Sequence, residues 1–158
     1  MEYLCTCLQV NGLILHRPRI AAAGRAGDET NGPMGVIFAD MNGLEYTNDH
    51  HGHSAGDLLL KNAAMILQNT FIGDEIYRVG GDEFLILLRD TDEEEMRRKI
   101  AEMKKKAEMF DNVRFAAGYS LVRPGMDLRE ALAEADARMY QDKEDYYREH
   151  PEMKRRTP

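Results

Sequence analysis

Acidic side chains set beside bare backbone are the residues of this sequence best equipped for chemistry. Asp82 and Glu83 follow the pair Gly80-Gly81, and Asp40 closes the apolar run Val36-Ile37-Phe38-Ala39. Carboxylates are hard oxygen donors; brought together they hold a divalent cation, and one placed beside a hydroxyl can take its proton. Each acid also has an ordinary explanation. A glycine pair followed by acids is a tight turn with solvated side chains, and an acid at a strand end caps the next turn. Asp57, three residues after Ser54, reads as half of a helix capping box.

The elements that must position these acids follow from periodicity. Ile76 to Leu88 has hairpin grammar, with two short apolar runs flanking Gly80-Gly81. The glycines are expected to supply φ > 0 and to let another group approach the backbone. Asp82 and Glu83 should leave on opposite faces of the second strand, so that one points at a site and its neighbour away. Val36–Ala39 is continuously apolar, as in a strand buried on both faces. Residues 40–57 are polar and punctuated by glycine, with brief helical scope. A helix opened by Ser54 and Asp57 should run to about Thr70, with Leu60, Ala63, Ala64, Leu67 and Phe71 on one side. Thr91 and Glu94 suggest a second capping box, opening a helix that carries Met96, Ile100, Met103, Ala107 and Phe110. Acids crowd its start and Lys104-Lys105-Lys106 its end, matching the helix dipole.

Val113, Phe115, Ala117, Tyr119 and Leu121 alternate as a strand with one buried face. Asp127 and Glu130 start a last helix with Leu128, Ala131, Leu132, Ala135 and Met139 inward; it continues through Tyr147 and is stopped by Pro151. The order is an α/β sandwich with a mixed, mostly antiparallel central sheet. Residues 1–33 are a lead-in, with a short apolar run at Leu13-Ile14-Leu15, a helical turn or two over 21–26 and a loop from 27 to 33. Residues 34–150 are the domain, and 151–158 a flexible, frayed tail.

Bulk properties narrow the function. The chain has 158 residues, 43% hydrophobic and 31% charged, which suits one soluble globular domain. No apolar run approaches the ~20 residues needed to cross a bilayer, and the N-terminus has no signal-peptide pattern. Cys5 and Cys7 are expected to be reduced thiols, which with the rest indicates a cytoplasmic protein. A net charge of −7 argues against general nucleic-acid binding but not against a small phosphate ligand, since a divalent metal can mediate between acids and phosphates.

Four separated motifs add a specific resemblance. Gly80-Gly81-Asp82-Glu83-Phe84 is the eponymous signature of the GGDEF family, the diguanylate cyclases. Asp40 matches the acid ending the family's first strand, Asn48-Asp49-x-x-Gly52-His53-x-x-Gly56-Asp57 its N-D-x-x-G-H-x-x-G-D segment, and Ala135-Asp136-x-x-Met139-Tyr140-x-x-Lys143 its A-D-x-x-[LM]-Y-x-x-K helix. The resemblance covers residues 34–148. It implies a fold similar to nucleotidyl cyclases and the ferredoxin-like polymerase palm. It implies one bound GTP per domain and a homodimer that joins two GTP into cyclic di-GMP. Mg²⁺ (or Mn²⁺) would be held by Asp40, Asp82 and the Met41 carbonyl, with Asp82 near the attacking hydroxyl and Glu83 a second candidate for metal or base. Asn48 and Asp57 would read guanine, the backbone of Asn42, Gly43 and Leu44 would cradle phosphates, and Lys143 would pair with the terminal phosphate. A sensor domain, fused or separate, is a further partner of such domains.

The sequence departs from the family pattern in four places. Glu45 stands where members commonly carry a phosphate-touching lysine, and Tyr147 where they often carry an arginine. The upstream signature is only echoed by Asn11-Gly12-Leu13-Ile14-Leu15-His16-Arg17. The product-inhibition motif R-x-x-D is replaced by Phe71-Ile72-Gly73-Asp74, so feedback binding there should be weak or absent. A catalytically silent domain that binds GTP or a partner is therefore the alternative function, and a purely structural dimerisation domain a third.

Overall fold

The computed structural model describes residues 8–10, 13–15, 33–110 and 113–153. The helical turns expected over 21–26, the loop before Pro33 and the end of the tail lie outside the described residues. Strands β1 (Leu8–Val10) and β2 (Leu13–Leu15) pair antiparallel. The main sheet is built from β3 (Met34–Met41), β4 (Glu75–Arg78), β5 (Glu83–Leu88) and β6 (Phe115–Val122), in the order β4-β5-β3-β6. Every pairing in it is antiparallel. The helices are α1 (Leu44–His51), α2 (His53–Thr70), α3 (Glu93–Ala107) and α4 (Leu128–Glu149), with a short 3₁₀ turn at Pro151–Met153.

All eight residues of β3 are buried, as a continuous apolar run in a central strand requires. Alternate residues divide the core into two layers. On one face Ile37, Ala39, Phe84 and Ile86 pack with Leu59, Ala63 and Leu67 of α2 and Met96 and Met103 of α3. On the other, Val36, Phe38, Leu85 and Leu87 pack with Leu128, Ala131, Ala135 and Met139 of α4. This is the expected α/β sandwich, but its main sheet is wholly antiparallel where a mixed one was expected, because each of its strand pairings runs antiparallel.

Two close approaches fix the layers. A side chain at Gly118 of β6 would run into the backbone of α4 at Ala135 and Met139, so helix and strand touch main chain to main chain. A side chain at Gly35 would collide with Met96 of α3. Arg114 supports the end of α3, its Nη1 donating to the carbonyls of Ala107, Phe110 and Val113.

Several local expectations need correction. The helix opened by Ser54 and Asp57 begins at His53 instead, with Gly52 (φ 87°) as its N-cap and no side-chain cap. Residues 44–51, granted only brief helical scope, form α1, bracketed by Gly43 (φ 82°) and Gly52; positive φ, which glycine adopts without steric cost, starts and stops it. The cap of α3 is Asp92, whose carboxylate accepts from Glu95 N at 2.8 Å, while Thr91 Oγ1 donates to Glu95 Oε2 at 3.2 Å. That box sits one residue later than expected. The last helix is capped by Asp127 as expected and runs to Glu149. Gly80 and Gly81 are not among the glycines with positive φ. Nothing lies within 4 Å of where a Gly81 side chain would sit, so Gly81 contributes bare, approachable backbone, while a side chain at Gly80 would touch Glu83.

Candidate active site

The acids lie where β3 ends and β5 begins. Asp40 lies directly opposite Glu83 in the β3–β5 register and opposite Ala116 in β6, so Asp40 and Glu83 share the face covered by α4. Asp82 precedes β5, and its carbonyl accepts from Met41 N at 2.9 Å, which ties the turn to the end of β3. The expectation that only one of the two acids faces the site fails for this reason. Because Asp82 lies in the turn, strand alternation does not govern it, and the Asp82 and Glu83 charges act on one another and on Asp40.

Burial first, then the Asp82 charge, push the Asp40 carboxyl up from 3.8 to about 7 against the pull of Lys143. Burial, then Asp136 and Asp82, raise Glu83. Lys143 Nζ sits 3.0 Å from Asp40 Oδ2. Burial alone would lower the lysine, but the Asp40 charge and hydrogen bond outweigh it and the net shift is upward.

Asp40 is 7% exposed, and its second oxygen, Oδ1, has no hydrogen-bond partner; Asn42 Oδ1, in a residue 2% exposed, is in the same condition. A buried carboxylate oxygen without a donor beside a second carboxylate suits a hard divalent cation. Among the described residues no group of three or more His, Cys, Asp or Glu side chains is placed to hold a metal ion together. Asp40 and Asp82 thus fit an ion that takes its other ligands from backbone and ligand oxygens.

Arg78 laces the glycine turn, its Nε donating to the carbonyls of Gly80 and Gly81 at 3.1 Å and its Nη2 to Gly81 O at 2.6 Å. This residue was missed in the sequence; the available signal was a cation two residues before a glycine pair. Asp136, quoted only as part of a motif, is the charge acting most on Glu83.

The remaining candidates line up along α1 and α2. Gly43 N-caps α1, Leu44 opens it and Asn48 follows one turn later, about 6 Å along the axis. Asn48 packs so closely on Gly56 that a side chain there would collide with its amide oxygen. Asp57 is next in sequence, exposed, and not used as a cap. Asn42 N donates to Arg114 O at 2.8 Å, and Gly43 N donates to the Tyr147 hydroxyl at 3.1 Å. Glu45 is exposed in the first turn of α1. In the window of the missing arginine, Phe71 is core and Asp74 is held by Lys99 at 2.7 Å.

Fold and site together define an antiparallel α/β domain with acids at the end of its inner strands, beside a helix N-terminus. Residues 16–148 match the family described as diguanylate cyclase, GGDEF domain. The chain belongs to that family. Diguanylate cyclase DosC of Shigella sonnei is 30% identical over 95 residues, 60% of this chain and 20% of that protein. Diguanylate cyclase A of Treponema denticola is 28% identical over 124 residues, 70% of this chain and 33% of that protein. The chain thus spans a fifth to a third of the length of these relatives. Among solved structures, the active GGEEF domain of a diguanylate cyclase from Vibrio cholerae superposes with TM-score 0.70 at 26% identity, covering 79% of this chain and 85% of that one. The GGDEF domain of PA1120 from Pseudomonas aeruginosa gives 0.69 at 28%, covering 80% and 86%.

Proposed function

We propose that this domain is a diguanylate cyclase that condenses two GTP into cyclic di-GMP and two pyrophosphates, acting as a homodimer in which each 3′-hydroxyl attacks the partner's α-phosphate. The observation that carries the reading is Asp40 paired opposite Glu83 at the end of the two inner strands, with the Asp82 backbone tied to Met41 beside it and Asp40 Oδ1 buried and unpartnered. Phosphoryl transfer needs positioning and charge neutralisation more than covalent help. Mg²⁺ or Mn²⁺, held by Asp40, Asp82, the Met41 carbonyl and, as a further candidate, Glu83, supplies that neutralisation when bound.

Asp82 takes the proton of the attacking hydroxyl as the new O–P bond forms and the bond to pyrophosphate breaks. Glu83 is the second candidate for this role. Asn48 and Asp57 read guanine, an amide for its edge and a carboxylate for N1–H and the exocyclic amine. The backbone of Gly43 and Leu44 faces phosphates, the Asn42 N–H being already given to the Arg114 carbonyl, and Lys143 moves from Asp40 to the terminal phosphate. The working unit is residues 34–150, acting in the cytoplasm under a fused or separate sensor.

A second reading, a silent domain that binds GTP for regulation, is favoured by Glu45 and by Tyr147 holding the Gly43 amide. Purified protein incubated with GTP and Mg²⁺ decides between them. Cyclic di-GMP should accumulate, and Asp82→Ala should cut its rate on the order of 10²-fold or more. Saturable GTP binding without product would leave the silent domain, and no binding would reject both.

A further inference from the structure

The C-terminal arm of the chain lies on the loop assigned above to phosphate. Gly43 N, at the start of α1, donates to Tyr147 Oη at 3.1 Å, a contact between residues 104 positions apart. The Tyr147 ring is fixed edge-on by Tyr146, with centroids 5.5 Å apart at 78°. Met153, just past α4, places its methyl where a Gly43 side chain would be, and Tyr146 Oη reaches the Met153 sulfur at 3.1 Å. Lys143, one turn before Tyr147, is engaged by Asp40, its Nζ 6.0 Å from the Tyr147 ring centre. The Gly43 amide that an entering phosphate needs is therefore occupied by Tyr147, and the Lys143 cation one turn earlier is held by Asp40. A backbone N–H serves one strong acceptor at a time, so a phosphate oxygen must displace the hydroxyl.

We propose that Tyr147 is a specificity-determining residue that occupies the phosphate subsite at the Gly43 amide and so lowers the affinity gained from a nucleotide's phosphate chain. This rests on the guanine-nucleotide reading above. The ligand class it sets is guanine nucleotides held mainly by the base, with GTP gaining little over GMP.

The test is calorimetric titration of wild type and Tyr147→Phe with GMP, GTP and inorganic pyrophosphate, each with Mg²⁺, while the Gly43 amide is followed by ¹⁵N NMR. Tyr147→Phe removes a single oxygen and keeps the ring, and a Gly43 shift in a spectrum otherwise like wild type verifies that only this contact changed. The expected result is a five- to tenfold gain in affinity for GTP and pyrophosphate, the rough value of one hydrogen bond, with GMP unchanged. Weaker GTP binding by the variant would make the hydroxyl a phosphate donor and overturn the proposal. So would an equal gain for GMP, no change for either phosphate probe, or no pyrophosphate binding to either protein. Failure of GMP and GTP to bind, with pyrophosphate tighter on the variant, would sink the nucleotide reading and leave the role of Tyr147 standing.

Discussion

At the scale of single residues, Asp40 is held at a cost. Its pKa of about 7 in the folded chain stands above the ordinary 3.8, so the folded state binds this proton more tightly than the unfolded state. Between about pH 4 and pH 7 this makes stability fall as pH rises, and above that window the loss is complete. Asp40→Asn removes the slope. Melting of the two proteins should show the variant's advantage growing from pH 5 to pH 8, by a few kcal/mol at most at about 1.4 kcal/mol per pKa unit. An advantage independent of pH would contradict the burial of an ionisable carboxyl there. Such a liability is what functional sites retain when a ligand resolves it. The Lys143 pair at 3.0 Å compensates in part, and Asp40 Oδ1 remains without a donor.

At the scale of elements, α4 carries Lys143 and Tyr147 into the site, and its height above the sheet is set at Gly118. Gly118→Ala should cost about 1–3 kcal/mol in urea unfolding, because the new carbon meets α4 backbone that cannot rotate away. It should also weaken the Lys143–Asp40 approach. A neutral result would show that α4 is not seated on the strand. Much of this framework was legible in the sequence. The apolar run 36–39, the alternation from Phe115 and the spacing of Met96, Ile100 and Met103 each carry one strong period. The short α1 was not, because its eight residues have weak amphipathicity and its limits are set by glycine conformations that no period encodes. The capping errors share one cause: Ser54 and Thr91 fit the box pattern, but Gly52 and Asp92 hold the cap positions. The acids were legible as a motif. Their convergence depends on the Asp40–Glu83 register, and the Tyr147–Gly43 contact spans 104 positions, too far for local pattern to reveal.

At the scale of the whole molecule, each domain presents one set of acids and one candidate guanine site, so the proposed joining of two GTP would need two domains face to face. Specific activity should therefore fall as the protein is diluted through its dimer dissociation constant, measured by initial rates alongside light scattering; a constant specific activity far below that point would contradict the homodimer. A net charge of −7 adds repulsion between two copies and toward nucleotide, which a divalent cation offsets. Asp40 and Asp82 are proposed to grip one such cation. Mn²⁺ binding in the presence of GTP, read by electron paramagnetic resonance, tests it most directly. Wild type should hold Mn²⁺ tightly, and Asp40→Asn and Asp82→Asn should each lose it; retention of the wild-type signal by both variants would contradict the account.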